Sequence, residues 1–166
     1  MNSPVSGILQ SLPIQVRILG LVAMAMILGG AVGLEREAKD KPAGLRTHML
    51  VAGAAALLVA LSDVAVQRFS VDLGGGLVRS DPIRIIEAVI TGISFLGAGT
   101  ILRHRGSDHV EGLTTAASLL FVAALGVSVA LSEVLLAIGA TALVLVTLRG
   151  VGLLRRWLTQ RQQESD

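Results

Sequence analysis

Five apolar runs, each about as long as a lipid bilayer is thick, constrain this chain more than any other feature. They cover about residues 14–34, 47–66, 82–102, 113–131 and 133–153. A hydrocarbon core of about 30 Å takes about 20 helical residues to cross, and a helix satisfies its own backbone polar groups in that medium. Of the 166 residues, 52% are hydrophobic and 16% charged, more aliphatic surface than a water-soluble core could hide. The expectation is an all-α, polytopic membrane protein of one domain, 1–166, with five transmembrane helices and a polar, disordered tail at 159–166. Ala31-Val32-Gly33 faintly resembles a signal-peptidase site, but the long apolar run before it and the nearly uncharged start favour a retained helix.

Lys and Arg residues fall at the ends of the runs and orient them. With five spans and the N-terminus outside, ten lie on the cytoplasmic side and four outside. The positive-inside rule then places the loop after the first span, and the C-terminus, in the cytoplasm. Trp157 beside Arg155 and Arg156 suits an interfacial anchor on that side. A net charge of +2 distributed in this way orients helices, so no nucleic-acid partner is expected. The lipid bilayer is the expected surrounding.

A shift of 68 residues lays the first two spans on the next two without a gap. Over residues 27–62 eleven of thirty-six positions are identical, among them Gly44-Leu45-x-Thr47 on Gly112-Leu113-x-Thr115. Ala, Leu and Gly inflate such a score, but the Gly-Leu-x-Thr match opens an outgoing helix in both copies. A parallel duplication of a helical hairpin, with a fifth helix added, is therefore expected. Gly29 and Gly33 in the first span, with Ala25, and Gly92, Gly97 and Gly99 in the third are candidates for close helix packing. Self-association into a homo-oligomer fits the same pattern.

Charge concentrates in two places. On the cytoplasmic side Glu35, Arg36, Glu37, Lys41, Arg46, Thr47 and His48 lie between the first two spans, with Thr114 and Thr115 at the start of the fourth. Arg46 is suited to a two-pronged bond with the carboxylate of Glu35 or Glu37. On the outer side Asp81, Arg84 and Glu87 stand three apart at the start of the third span, so Arg84 could pair with both acids. Each cluster reads either as an interfacial charge network or as a binding site, the inner one for a cation, a phosphate group or a partner protein, the outer one as a cation-attracting vestibule. Magnesium would take oxygen ligands and retained waters, which Glu35 and Glu37 could supply, whereas Arg36 and Arg46 nearby oppose a dedicated cation cage. No metal site is assigned and no cofactor is expected. The chain has no cysteine, which excludes disulfides, thiol catalysis and cysteine zinc sites. There is no GxSxG, no P-loop and no carboxylate pair deep in a span, so no catalytic residues are proposed and no enzyme is expected.

The motifs GLERE and KPAGLRTHMLV within 33–51, DPIRI at 81–85, GISFLGAG at 92–99 and GLTTAAS at 112–118 resemble, in order, the MgtC/SapB family of bacterial membrane proteins. The resemblance covers about residues 20–150. It implies a multi-pass protein of the bacterial cytoplasmic (inner) membrane, linked to growth when magnesium is scarce. In some members it also implies virulence, acid tolerance and modulation of the F-type ATP synthase. The family's shared residues fall here on Glu35, Arg36, Lys41, Gly44, Arg46, Thr47, Asp81, Arg84, Gly97, Gly99, Thr114 and Thr115. Ser94, Glu87 and Leu120 depart from the family pattern. The short SapB-type form, without the soluble C-terminal domain of many members, is expected. The leading functional expectation is a regulator of adaptation to magnesium limitation acting through another membrane complex; the alternative is a transporter or channel for Mg2+ or another cation. Arg46→Ala is expected to impair function by leaving the acids at 35 and 37 poorly paired, as measured by complementation at equal expression.

Overall fold

A computed structural model describes residues 13–72, 82–103 and 110–163. The described chain is helical except for one short strand pair. In order it comprises α1 (Ile14–Glu37), α2 (Leu45–Asp72), α3 (Pro82–Ala98), β1 (Leu102–Arg103), β2 (Val110–Glu111), α4 (Leu113–Ala130) and α5 (Val134–Gln163). Three stretches are long and apolar enough to cross a membrane: Ile14–Glu37, Leu45–Val66 and Leu113–Ala130. Val134–Gly150 is a shorter apolar stretch. Together with the many exposed Leu, Ile and Val side chains on the helices, these lengths point to an integral membrane protein.

Local chemistry sets the helix ends. Pro13 precedes α1, and its carbonyl takes the N–H groups of Val16 and Arg17. At the other end Asp40 turns left-handed (φ 50°), so that Asp40 N–H reaches Glu37 O and Lys41 N–H reaches Arg36 O. That pair of bonds is a Schellman closure. The same closure ends α4, with Ser132 left-handed (φ 66°) and Glu133 N–H bonded to Ser128 O, which folds α4 back onto α5 as an antiparallel hairpin.

The third span is shorter than its apolar run. α3 stops at Ala98, where Thr100 Oγ1 donates to Gly97 O at 2.7 Å, and residues 102–103 then pair with 110–111 as antiparallel strands. Gly112 must be glycine: its φ is +91°, and a Cβ there would strike the Thr100 carbonyl. α5, by contrast, runs past the expected tail boundary to Gln163, since Arg and Gln are good helix formers and neither Gly nor Pro interrupts the stretch after Gly152.

α1, α2 and α4 form the centre, with α3 against α4 and α2, and α5 against α1 and α4. The core is small and aliphatic: Ala25, Val32, Ala52, Ala55, Ala56, Leu119, Val122, Ala123 and Leu125 are buried. Backbone contact occurs where glycine faces the neighbour. A Cβ on Gly29 would lie 2.6 Å from His48 O and 2.7 Å from the Ala52 methyl, and one on Gly33 would lie 2.7 Å from Leu45 Cα. α4 also approaches α2 closely at Gly126, where a Cβ would strike the Ala52 carbonyl, a position the motif reading does not single out. A Cβ on Gly97 would lie at ordinary contact distance, 3.4 Å, from the Ala116 methyl.

Two other glycines do not pack as expected. A Cβ on Gly92 would meet nothing within 4 Å, and Gly99 faces only carbonyls of its own preceding turn. Gly92 is exposed on α3, between exposed Thr91 and half-buried Ile93. Gly126→Val should therefore destabilise the protein by about 1–3 kcal/mol, the usual result of overpacking. Gly92→Ala should be neutral or stabilising by up to about 1 kcal/mol through helix propensity. Unfolding midpoints of both variants in one detergent check the contrast.

Candidate functional site

The polar residues gather where α1 ends, α2 begins and α4 begins. Glu35 and Arg36 are each only 3% exposed, and His48 is fully buried. Arg36 Nε donates to Glu35 Oε2 at 2.7 Å, and Lys39 Nζ stands 2.6 Å from Oε1 of the same carboxylate. One acid therefore faces two cations. Lys39 also donates to the Leu148 carbonyl at 2.8 Å, tying the end of α1 to α5. The i, i+4 spacing of Glu35 and Lys39 would have revealed the pair in the sequence.

Glu37 has a different task. Its Oε2 accepts the Leu45 N–H at 2.7 Å, across the loop, and so satisfies a free donor in the first turn of α2. Gly44 leaves room for this carboxylate, since a Cβ there would lie 2.6 Å from Oε2. Arg46 is exposed and joins neither acid, which corrects the expected pairing. The physical reason is proximity: Arg36 and Lys39 already hold both oxygens of Glu35, and the helix start claims Glu37.

His48 joins α2 to α4. Its Nδ1 lies 2.8 Å from Gly44 O, an acceptor, so this nitrogen carries the ring hydrogen. Its Nε2 lies 3.0 Å from Ser118 Oγ. Ser118 Oγ is also 2.8 Å from Thr115 O, and its single hydrogen serves one acceptor at a time. Ser118 was legible only as part of GLTTAAS; burial against His48 gives it a role. Thr115 is buried beside it, Thr47 is half-buried, and Thr114 and Lys41 are exposed. The inner cluster thus divides into a buried group, Glu35, Arg36, His48, Thr115 and Ser118, and an exposed rim, Lys41, Arg46 and Thr114.

The outer cluster is not brought together in the same way. Asp81 lies outside the described residues. Arg84 and Glu87 are exposed on α3, and no ion pair joins them. Three residues on a helix place them near one face, but both extend into the surroundings instead. Among the described residues, no group of three or more His, Cys, Asp or Glu side chains could hold a metal ion. Chemically, the inner site sets one buried carboxylate against two cationic side chains and links α2 to α4 through an imidazole.

A buried Glu-Arg pair at the end of one apolar helix, a capped Gly-Leu-Arg-Thr-His start to the next, and a Gly-Leu-Thr-Thr start to the fourth are the chain's distinguishing constellation. A model of the MgtC family matches residues 22–157, which include all of it. The chain belongs to the MgtC family. An uncharacterized Haemophilus influenzae protein is 39% identical over 140 residues, covering 84% of this chain and 58% of its own length. The Escherichia coli K12 protein named "Putative magnesium transporter YhiD" is 42% identical over 103 residues, 62% of this chain and 46% of its own. MgtC of Salmonella typhimurium is 40% identical over 128 residues, 77% of this chain and 49% of its own. The chain thus spans about half the length of these MgtC-family relatives. No solved structure matches it.

Removing Glu35 would strand Arg36 as a buried, unpaired cation. Glu35→Ala should destabilise by about 3–5 kcal/mol, as breaking a buried pair from one side does. Glu37→Ala, which removes only a helix-start acceptor, should cost about 1 kcal/mol. Reversible unfolding of both variants in mixed micelles measures the difference.

Proposed function

We propose that this MgtC-family protein is a regulator of adaptation to magnesium limitation, acting in the bacterial cytoplasmic membrane through contact with another membrane complex. The F-type ATP synthase is the named partner class, on the strength of the family resemblance. Ten of fourteen Lys and Arg residues support five spans with the N-terminus outside and the C-terminus in the cytoplasm. A duplicated hairpin is supported by equivalent positions: α2 opens at Leu45 and α4 at Leu113, and Gly29 on His48 has its counterpart, 68 residues on, in Gly97 on Ala116.

The observation that carries the regulatory reading is the filling between the helices. Gly29, Ala52 and Gly126 bring three backbones together, and the residues around them are aliphatic. A hydrated ion crossing there would need polar groups in series. Apart from Thr141, the buried polar side chains instead gather near the helix ends, with Arg36 and Lys39 holding Glu35. The exposed rim of Lys41, Arg46 and Thr114 is the surface such a reading offers to a partner.

The transporter reading draws its support from the printed name of the YhiD relative, which couples that protein to magnesium transport. Flux into dye-loaded proteoliposomes separates the two. The regulator predicts no magnesium entry above empty liposomes, from protein shown to be folded and oriented. Entry that disappears in Asp81→Ala/Glu87→Ala would overturn it and establish transport.

A further inference from the structure

At the end of the bundle where α1 begins, a cavity of about 280 Å³ opens between α1, α2, α3 and the α4–α5 turn. Its described walls are mostly aliphatic, with Leu21, Ile86 and Ala130 among them. Two charges of opposite sign line it, Arg17 from α1 and Asp63 from α2, together with Ser132 from the turn. Both charged side chains are exposed, and among the described residues neither takes part in an ion pair. They flank one cavity without meeting each other.

They lie at the same end of the bundle. Arg17 stands three residues inside the start of the apolar helix at Ile14, and Asp63 three residues inside the end of the apolar stretch at Val66. Each is therefore about 4.5 Å along its helix from an end of its apolar stretch, within reach of the headgroup layer of a bilayer that those stretches cross. Beside the cavity, Ile83 and Ile90 flank Ile86 on α3 and are 63% and 44% exposed, an apolar wall for an acyl chain.

We propose that this cavity binds the headgroup of a glycerophospholipid carrying a phosphate and a primary ammonium group. Arg17 takes the phosphate through its planar pair of donors, which match two phosphate oxygens. Asp63 accepts from the ammonium. An anionic headgroup without an amine would satisfy Arg17 but leave Asp63 facing a second negative charge, so the pair selects for the zwitterion. The volume is near the low end for small-molecule sites, about 300 Å³, and suits a headgroup with its chains lying outside. The site is independent of the inner cluster and of the regulatory reading.

Native mass spectrometry of the purified full chain, delipidated and then titrated, tests this. Phosphatidylethanolamine should be retained as one molecule per chain, and phosphatidylglycerol roughly tenfold more weakly, the scale of one charge-assisted bond. Asp63→Asn should abolish that discrimination, Arg17→Gln should weaken both lipids, and Arg17→Lys should restore part of the binding. Soluble phosphoethanolamine should bind roughly a hundredfold more weakly, having no chain to bury. Both side chains are exposed, so the variants should keep the helical circular dichroism of the parent. Equal retention of the two lipids, or discrimination that survives Asp63→Asn, overturns the proposal. Phosphoethanolamine binding as tightly as the lipid overturns the lipid and makes the ligand a free zwitterion.

Discussion

The close approach of α1, α2 and α4 is the constraint on which the rest depends. Between helices in lipid there is little hydrophobic drive, because the tails are as apolar as leucine; attraction comes from dispersion and therefore from contact. Gly29, Gly33 and Gly126 remove the side chains that would hold the backbones apart. Once the backbones meet, the polar consequences follow. His48 lies where it can reach Ser118 on another helix, and Glu35 with Arg36 is enclosed at the same end. A buried acid of this kind is tolerable only because two cations are within ion-pair distance.

Much of this architecture was legible in the sequence, and the parts that were not share a cause. Apolar run length revealed the helices, the Gly-Leu-x-Thr match located the starts of α2 and α4, and Ser132-Glu133 marked the α4–α5 turn. The pattern could not say which small residues face a neighbour. Gly92 and Gly126 both sit within apolar helices, yet one is open and the other touches the Ala52 backbone. Periodicity places a residue on a face; only packing decides what that face meets. The end of α3 was misjudged for a different reason. Apolar character continues to Leu102, but Gly97, Gly99 and the Thr100 hydroxyl divert the backbone earlier.

The inner cluster shows the same division. That Glu35, Arg36, Glu37 and His48 matter was readable from their position between two apolar walls. Which acid pairs with which base was not, because proximity along a helix competes with the more attractive geometry of a distant guanidinium. Arg36 and Lys39 win Glu35 by being adjacent and one turn away, and the unsatisfied start of α2 wins Glu37. The sequence offers Arg46 as the natural partner of both; the fold leaves it on the rim, exposed beside Lys41 and Thr114.

The Glu37 bond to the Leu45 N–H also bears on how the protein is made. It joins residues eight apart in the chain, and the Schellman turn at Asp40 lies between them. Short closures lose little chain entropy and form before distant ones. By that argument the α1–α2 hairpin, tied at its polar end, is the part of the bundle with the least chain entropy to lose. α4 closes over a longer span of chain, and it covers the small-residue face of that hairpin through Gly126 against Ala52 and Ser118 against His48.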